Sequence, residues 1–379
     1  MTTLTKPATD NAGSSKGALL EVKDLGVQFP TEDGLVQAVR GVSYSLRPGE
    51  VLGIVGESGS GKSVTSLAIM GLLPASARVT GSVKFRGREL LKLGDKEFSR
   101  IRGKGIAMVF QDPMTSLDPV YKVGYQISET VRRHDKNLSA KAAKSRAADL
   151  LELVGIPNAR DRADNYPHEF SGGMRQRVVI AIAMANQPDI IIADEPTTAL
   201  DVTVQAQILE VLRTAMQETG AATVLITHDL GVVAGMADRV LVMYAGRAVE
   251  TGPVDGVYYN PRMPYTLGLL GSLPRLDQTE KQRLTPIKGS PPSMVNPPPG
   301  CPFGPRCPLH IDKCDEREPD LLEVEPGHAA ACIRNEKLAG DTEAADIFDA
   351  DSSDLTEPLV ADALPGTENG VVATAEDRP

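Results

Sequence analysis

An unbroken apolar run, Val51-Leu52-Gly53-Ile54-Val55, leads directly into Gly56-Glu57-Ser58-Gly59-Ser60-Gly61-Lys62-Ser63, and a helix-forming stretch follows through Met70. Nothing else in the chain restricts its fold as strongly. A short run that is apolar at every position reads as a strand buried on both faces, the type found in parallel sheets covered by helices. The segment after it fits G-x-x-x-x-G-K-[ST] in strand–loop–helix context. Its glycines let the backbone curl, so that successive N–H groups and the helix N-terminus form a cradle for an anion. Gly56, Ser58, Gly59, Ser60 and Gly61 are therefore the expected phosphate contacts. Lys62 is placed to reach the outer phosphates, and the Ser63 hydroxyl to bind Mg²⁺.

A second apolar strand, Ile190-Ile191-Ile192-Ala193, ends in Asp194-Glu195. Two carboxylates at the carboxyl end of such a strand lie where open α/β sheets bind their ligands. Asp194 is expected to hold Mg²⁺, and Glu195 to polarise an attacking water. A further strand is expected at Thr223–Thr227 with a helix over Val204–Thr219 before it, and helical spacing also marks residues 124–156. Strands alternating with helices predict an α/β core with a mostly parallel sheet. Alternating runs between Leu20 and Leu46, broken by turn signals, predict strands ahead of that core.

Taken together, the loop at 56–63, Gln111, Phe170-Ser171-Gly172-Gly173-Met174-Arg175-Gln176, the strand 190–195, Ala199-Leu200-Asp201 and His228 resemble the nucleotide-binding domain of ABC transporters in order and spacing over residues 19 to about 250. The resemblance implies a P-loop NTPase fold with a RecA-like core, an antiparallel β subdomain and a helical subdomain at about 112–170. It implies ATP and Mg²⁺ as cofactors, and an ATPase. It implies that Gln111 senses Mg²⁺, that His228 contacts the γ-phosphate, and that Phe29 stacks on adenine. Ser171, Gly172 and Gly173, at a helix start, would offer a hydroxyl, N–H groups and a dipole end to an ATP held by a second nucleotide-binding subunit. Asp201 would cross the same dimer interface. Met174 departs from the Gln that many members carry there. A ribosome-acting relative would carry two cassettes, and a repair-type relative a long coiled coil; one P-loop and about 100 residues before Ser171 fit neither.

Composition changes near residue 260. Between Pro286 and Pro326 stand eleven prolines in 41 residues, a density that disfavours helices and central strands and predicts a loop-built appendix needing a staple. Asn260-Pro261-Arg262-Met263-Pro264-Tyr265-Thr266, with Cys301-Pro302-Phe303-Gly304-Pro305-Arg306-Cys307-Pro308, is similar to the C-terminal extension of ATP-binding subunits of dipeptide and oligopeptide importers. Met263 stands where that extension usually has His. The similarity implies di- or oligopeptide import, with two transmembrane permease subunits and an extracellular peptide-binding protein as partners; nickel importers share the extension, and an exporter subunit is the more distant alternative. Cys301, Cys307, Cys314 and Cys332 lack the C-x2-C pair that zinc ribbons prefer. Four spread thiolates suit a [4Fe–4S] cluster, which some relatives carry in this extension, with Zn²⁺ or reduced thiols as alternatives.

The net charge of −10 is unevenly placed. Residues 336–379 hold twelve acids against two bases, so residues 1–335 balance 38 acids with 38 bases. That balance, with 4% aromatics and no Trp, lacks the basic footprint of a nucleic-acid binder. The longest apolar run, Val178–Ala185, is too short to span a bilayer. The expected organisation is a flexible leader (1–17), a nucleotide-binding domain (18–260), a Pro/Cys-rich extension (261–335) and an acidic disordered tail (336–379). The expected location is peripheral, on the cytoplasmic face of the inner membrane.

Overall fold

The computed structural model describes residues 17–198, 201–272, 286–338, 340 and 344–348. The expected leader, apart from Gly17, lies outside them, as do Ala199 and Leu200. Among the described residues the strands run β1 (Leu20–Thr31), β2 (Gly34–Leu46), β3 (Val51–Val55), β4 (Arg78–Phe85), β5 (Arg88–Glu89) and β6 (Ile106–Val109). They continue with β7 (Ile190–Asp194), β8 (Ala222–Thr227), β9 (Arg239–Tyr244), β10 (Arg247–Pro253), β11 (Leu322–Glu325) and β12 (His328–Ala330).

Two sheets result. An antiparallel sheet of order β2-β1-β4-β5 carries the alternating N-terminal runs, and an eight-stranded sheet has the order β11-β12-β10-β9-β3-β8-β7-β6. From β9 to β6 the large sheet is parallel. Every residue of β3, β6, β7 and β8 is buried, which is why these strands read as continuous apolar runs. Register aligns their carboxyl ends: Val55 lies opposite Thr227 and Val242, and Asp194 opposite Ile226. The loops after β3, β6, β7 and β8 therefore leave the sheet along one edge, and the chemistry-bearing residues follow those four strands.

The helical spacing over 124–156 is realised as two helices, Val123–His134 and Ala140–Leu153. Polar residues at 135–137 interrupt it, and the Ser139 hydroxyl starts the second helix by accepting the Ala142 N–H at 3.2 Å. Both helices share a core with Gly172–Met184 and Val202–Thr219 through Ile127, Leu151, Val178 and Leu212.

The Pro-rich stretch is more regular than expected. The prediction of a loop-built appendix is corrected at its end, where β12 pairs with β10 (Glu250 opposite Ala330) and β11 pairs with β12. Prolines stop being frequent after Pro319, so backbone donors become available. Gly327, at φ 75°, makes the turn that a side chain would strain. The junction is locked from inside: Glu250, fully buried, accepts His328 Nε2 at 2.8 Å and the N–H groups of Arg262 and Met263 at 2.6 and 3.2 Å.

The tail also needs correction at its start. Residues 335–338 form a 3₁₀ turn and Ala344–Phe348 a helix, rather than disorder. Leu338 and Phe348 are buried, with Phe348 in the same apolar cluster as Tyr244, Tyr265 and Phe303. These few apolar side chains outweigh the surrounding acidity by leaving water. Residues 349–379 lie outside the described part.

Candidate active site and cysteine cluster

Where β3 ends, the backbone turns through Gly56 at φ 152° and Gly61 at φ 98°. A Cβ at Gly56 would stand 2.2 Å from the Met243 carbonyl oxygen, and one at Gly61 2.4 Å from that of Ala38. Only glycine permits the loop to curl this tightly between β9 and β2. The helix Lys62–Ile69 begins immediately after it. A cavity of about 650 Å³ opens over this helix start. One side of it is Ser58, Gly59, Gly61, Lys62 and Ser63; Gln111, Glu195 and His228 face them from the loops after β6, β7 and β8.

The contacts inside the cavity are polar and specific. Lys62 Nζ donates to the carbonyls of Gly56 and Glu57 at 2.7 and 2.9 Å. Burial lowers its pKa, against the pull of Glu195, Asp194 and Glu57, which favour the charged form. Ser63 Oγ donates to Asp194 Oδ1 at 2.8 Å. Burial raises the Asp194 pKa, while the Ser63 hydrogen bond opposes that rise. Glu195 Oε2 accepts Gln111 Nε2 at 3.1 Å and Thr198 Oγ1 at 2.7 Å, and lies 3.5 Å from His228 Nδ1. Its backbone is left-handed, with φ 45°, and is tied by an N–H bond to the Ile226 carbonyl. A non-glycine residue in that region is strained. The strain here sets a carboxylate where three other strands deliver their polar groups.

The cradle also suits an anion and a hard cation. Gly56 and Ser60 are outside the residues that line the cavity, and Ser60 Oγ is buried without a hydrogen-bond partner, which is costly unless a ligand or water reaches it. A hydroxyl and a carboxylate already in contact, Ser63 and Asp194, form an all-oxygen donor set of the kind Mg²⁺ takes.

Other expected residues lie elsewhere. Phe29 does not line the cavity; it is half-buried against the core, and its cross-strand neighbour Val36 lines the cavity together with Ala38 and Met294. Ser171, Gly172, Gly173 and Asp201 are also outside the lining. The Ser171 hydroxyl caps the helix Gly172–Met184, and Asp201 caps Val202–Thr219 by accepting the Val204 N–H at 2.9 Å. Thr198, Glu57 and Met294 were not expected. Thr198 is three residues past Glu195, a spacing that a turn closes; the other two depend on contacts distant in sequence.

Cys301, Cys307, Cys314 and Cys332 line one small apolar cavity of about 20 Å³, and none forms a disulfide. Burial raises the Cys301 thiol, pushes Cys307 up to about 12 and pushes Cys332 up to about 11. Backbone N–H groups of Phe303 and Gly304, Leu309 and Arg334 oppose this at the three sulfurs respectively, Arg334 N lying 3.3 Å from Cys332 Sγ. Among the described residues no group of three or more His, Cys, Asp or Glu side chains is set to hold a metal ion. The donor chemistry fits thiolate ligation; the sulfur spacing in this structure is not yet that of a ligand cage.

Comparison with known proteins agrees on both halves of the chain. The ABC transporter family profile matches residues 39–198. The profile of the oligopeptide/dipeptide transporter C-terminal region matches residues 249–314. The oligopeptide transport ATP-binding protein OppD of Mycobacterium tuberculosis is 59% identical over 330 residues, covering 87% of this chain and 54% of its own length. This chain therefore spans about half the length of that relative. OppD of Bacillus subtilis is 55% identical over 312 residues, covering 82% of this chain and 87% of its own. Among solved structures, a dimeric ATP-binding cassette in a post-hydrolysis state with ADP and phosphate aligns with TM-score 0.56 at 27% identity, covering 62% of this chain and 98% of that one.

Proposed function

The chain belongs to the ABC transporter ATP-binding proteins of the oligopeptide and dipeptide type, and from that premise we propose that it binds and hydrolyses ATP to energise peptide import. The observation that carries the reading is the meeting of Lys62, Ser63, Gln111, Glu195 and His228 in one cavity, with Asp194 bonded to Ser63 at its edge. Backbone N–H groups of the loop, Ser60 Oγ and the Lys62 ammonium bind the phosphates. Ser63 and Asp194 would hold Mg²⁺, with Gln111 beside them, and the bound ion would neutralise phosphate charge. Glu195 Oε2 takes the role of water-positioning base; Gln111 and Thr198 hold it in place, and His228 faces the outer phosphate.

Ser171, Gly172, Gly173 and Asp201, left outside the chain's own cavity, take their role in a second ATP-binding subunit's site. Met114, Val120, Tyr121 and Tyr125, at 58, 70, 48 and 52% exposure, leave large apolar side chains on the surface after Gln111, with Tyr121 stacked on Tyr125. This surface is the proposed seat of the transmembrane subunits, with a peptide-binding protein on the far side of the membrane. Among the described residues no helix is long and apolar enough to cross a membrane, which fits a peripheral subunit on the cytoplasmic face. The division proposed is 18–260 for the nucleotide-binding domain, with its helical part at about 112–170, and 261–335 for the extension.

Cys301, Cys307, Cys314 and Cys332 are proposed to hold a [4Fe–4S] cluster, which would cross-link a Pro-rich segment and add redox chemistry. Their shared cavity and the N–H groups directed at three of their sulfurs support it. Protein purified without oxygen should be brown, absorb near 400 nm and contain four irons per chain; a colourless protein with stoichiometric zinc refutes the cluster. For the engine itself, Lys62→Ala should abolish nucleotide binding by the purified chain and labelled tripeptide uptake by cells expressing the transporter. Normal uptake with that variant as the sole source of the subunit refutes the reading.

A further inference from the structure

Glu57, the second residue of the phosphate loop, points away from the cavity and into the C-terminal extension. Its carboxylate is gripped by Arg306 from two sides, Nη1 to Oε2 at 2.7 Å and Nη2 to Oε1 at 2.9 Å. Its backbone N–H donates to Tyr265 Oη at 2.8 Å. Its carbonyl accepts Lys62 Nζ at 2.9 Å and the Ser60 N–H at 3.2 Å. One residue thus connects the extension to the lysine and serine of the anion cradle.

The gripping groups are themselves fixed. The Arg306 side chain is only 5% exposed. Its Nε donates to the Lys288 carbonyl at 3.0 Å and its Nη1 to Tyr244 Oη at 3.2 Å. Tyr265 is fully buried, with its ring centroid 4.5 Å from that of Tyr244 and 5.4 Å from that of Phe303. A bidentate guanidinium fixes orientation as well as charge. Two kinds of constraint therefore converge on Glu57, an ion pair on its side chain and a hydrogen bond on its backbone.

Charge makes the arrangement consequential. An unpaired carboxylate next to the loop would repel a polyphosphate and draw Lys62 towards itself. Arg306 neutralises it. We infer that Arg306 and Tyr265 of the extension are positioning residues for ATP binding: through Glu57 they hold the phosphate loop in its anion-accepting shape and cancel a negative charge beside it. The inference rests on reading Gly56–Ser63 as the ATP phosphate loop. It makes the extension a working part of the nucleotide site rather than a separate module.

The test uses the full chain and its assembled transporter. Binding of a fluorescent ATP analogue with Mg²⁺ is measured for Arg306→Gln, Glu57→Gln, the double variant and Tyr265→Phe, and KM and kcat are measured in the complex. Arg306→Gln should weaken binding and raise KM about tenfold with kcat within about twofold. The double variant, in which the orphaned charge is gone, should recover most of the loss. That rescue separates positioning from a general folding defect. Affinity within about twofold of the parent for Arg306→Gln, or a double variant as weak as the single, overturns the inference. Should Arg306→Gln fail to fold by circular dichroism, Tyr265→Phe decides. It removes one oxygen from a packed ring and should weaken binding about threefold; no change overturns the inference. Lys62→Ala is the control: if it binds the analogue like the parent, the reading of the loop fails instead.

Discussion

The two ends of the large sheet are held together in different ways. From β9 to β6 the strands are parallel, buried and apolar, and the phosphate loop, Glu195 and His228 follow from where those strands end. At the other edge β10, β12 and β11 are antiparallel and joined by side-chain locks: Glu250 to His328, Arg262 to Glu325, and Arg40 with Arg247 on Glu318. Backbone and burial build the first region; hydrogen-bonded and ionic side-chain pairs between distant residues build the second. The catalytic half should therefore lose function without losing its fold when a polar residue is changed, while the extension should lose stability.

The largest effect tests the first half. Glu195→Gln keeps the shape and the Gln111 contact but removes the base, so ATP turnover by the assembled transporter should fall about a thousandfold. Binding of ATP should persist, and the thermal midpoint should stay close to that of the parent. Loss of the carboxylate relieves a like charge beside Asp194 and removes one of the charges that favour protonated Lys62. Phosphate release within tenfold of the parent rate would remove Glu195 from the role of base.

Changing a polar residue at the other edge should do the opposite. Glu250→Ala leaves His328 Nε2 and two backbone N–H groups unpaired inside a dry junction, at a cost of about 3 kcal/mol, roughly a hundredfold in the folding equilibrium. An unfolding free energy lowered by less than about 1 kcal/mol would show that water or rearrangement replaces the pair.

These contrasts explain what could be read from the chain beforehand. Gly56–Ser63 and Asp194-Glu195 were legible because a buried parallel strand has a continuous apolar sequence, and its end is marked by glycine or acid. Lys62, Ser63, Gln111, Glu195 and His228 needed only strand order to come together. Phe29 was legible as an aromatic, but its half-buried packing depends on how two sheets meet. Arg306 was legible only as part of the Cys301–Pro308 motif, and its role was not, because its partner Glu57 is 249 positions away. The strands β11 and β12 were obscured by prolines nearby, and the helix Ala344–Phe348 by the acids around it.

A smaller effect sharpens the comparison at the cysteines. In metal-free protein, burial holds the Cys332 thiol near 11, so at pH 8 its thiolate fraction is about two hundred times below that of free cysteine. The higher intrinsic reactivity of such a thiolate offsets about tenfold. Alkylation by iodoacetamide should thus run roughly twentyfold slower than for a free cysteine and rise with pH up to 11. Mass spectrometry over time would measure it. Rates equal to those of the denatured chain would show that the extension holds its shape only with metal bound.

The smallest effect concerns where the acidic segment begins to matter. Phe348 is 7% exposed, beside Gly268 and within the Tyr244–Tyr265–Phe303 cluster, while Leu338 is 1% exposed. Ending the chain after residue 335 removes both side chains and should cost about 2 kcal/mol from lost burial. Ending it after residue 348 removes neither, and also deletes most of the negative charge. That second truncation should leave the thermal midpoint and ATP turnover within error at moderate salt, where exposed charges are screened. If instead it changed the KM for ATP, residues beyond 348 would act on the nucleotide site through charge. The two-region contrast would then need a third part. If the cut after 335 cost nothing, Phe348 would be a spectator, and the extension would be locked by Glu250 and Arg306 alone.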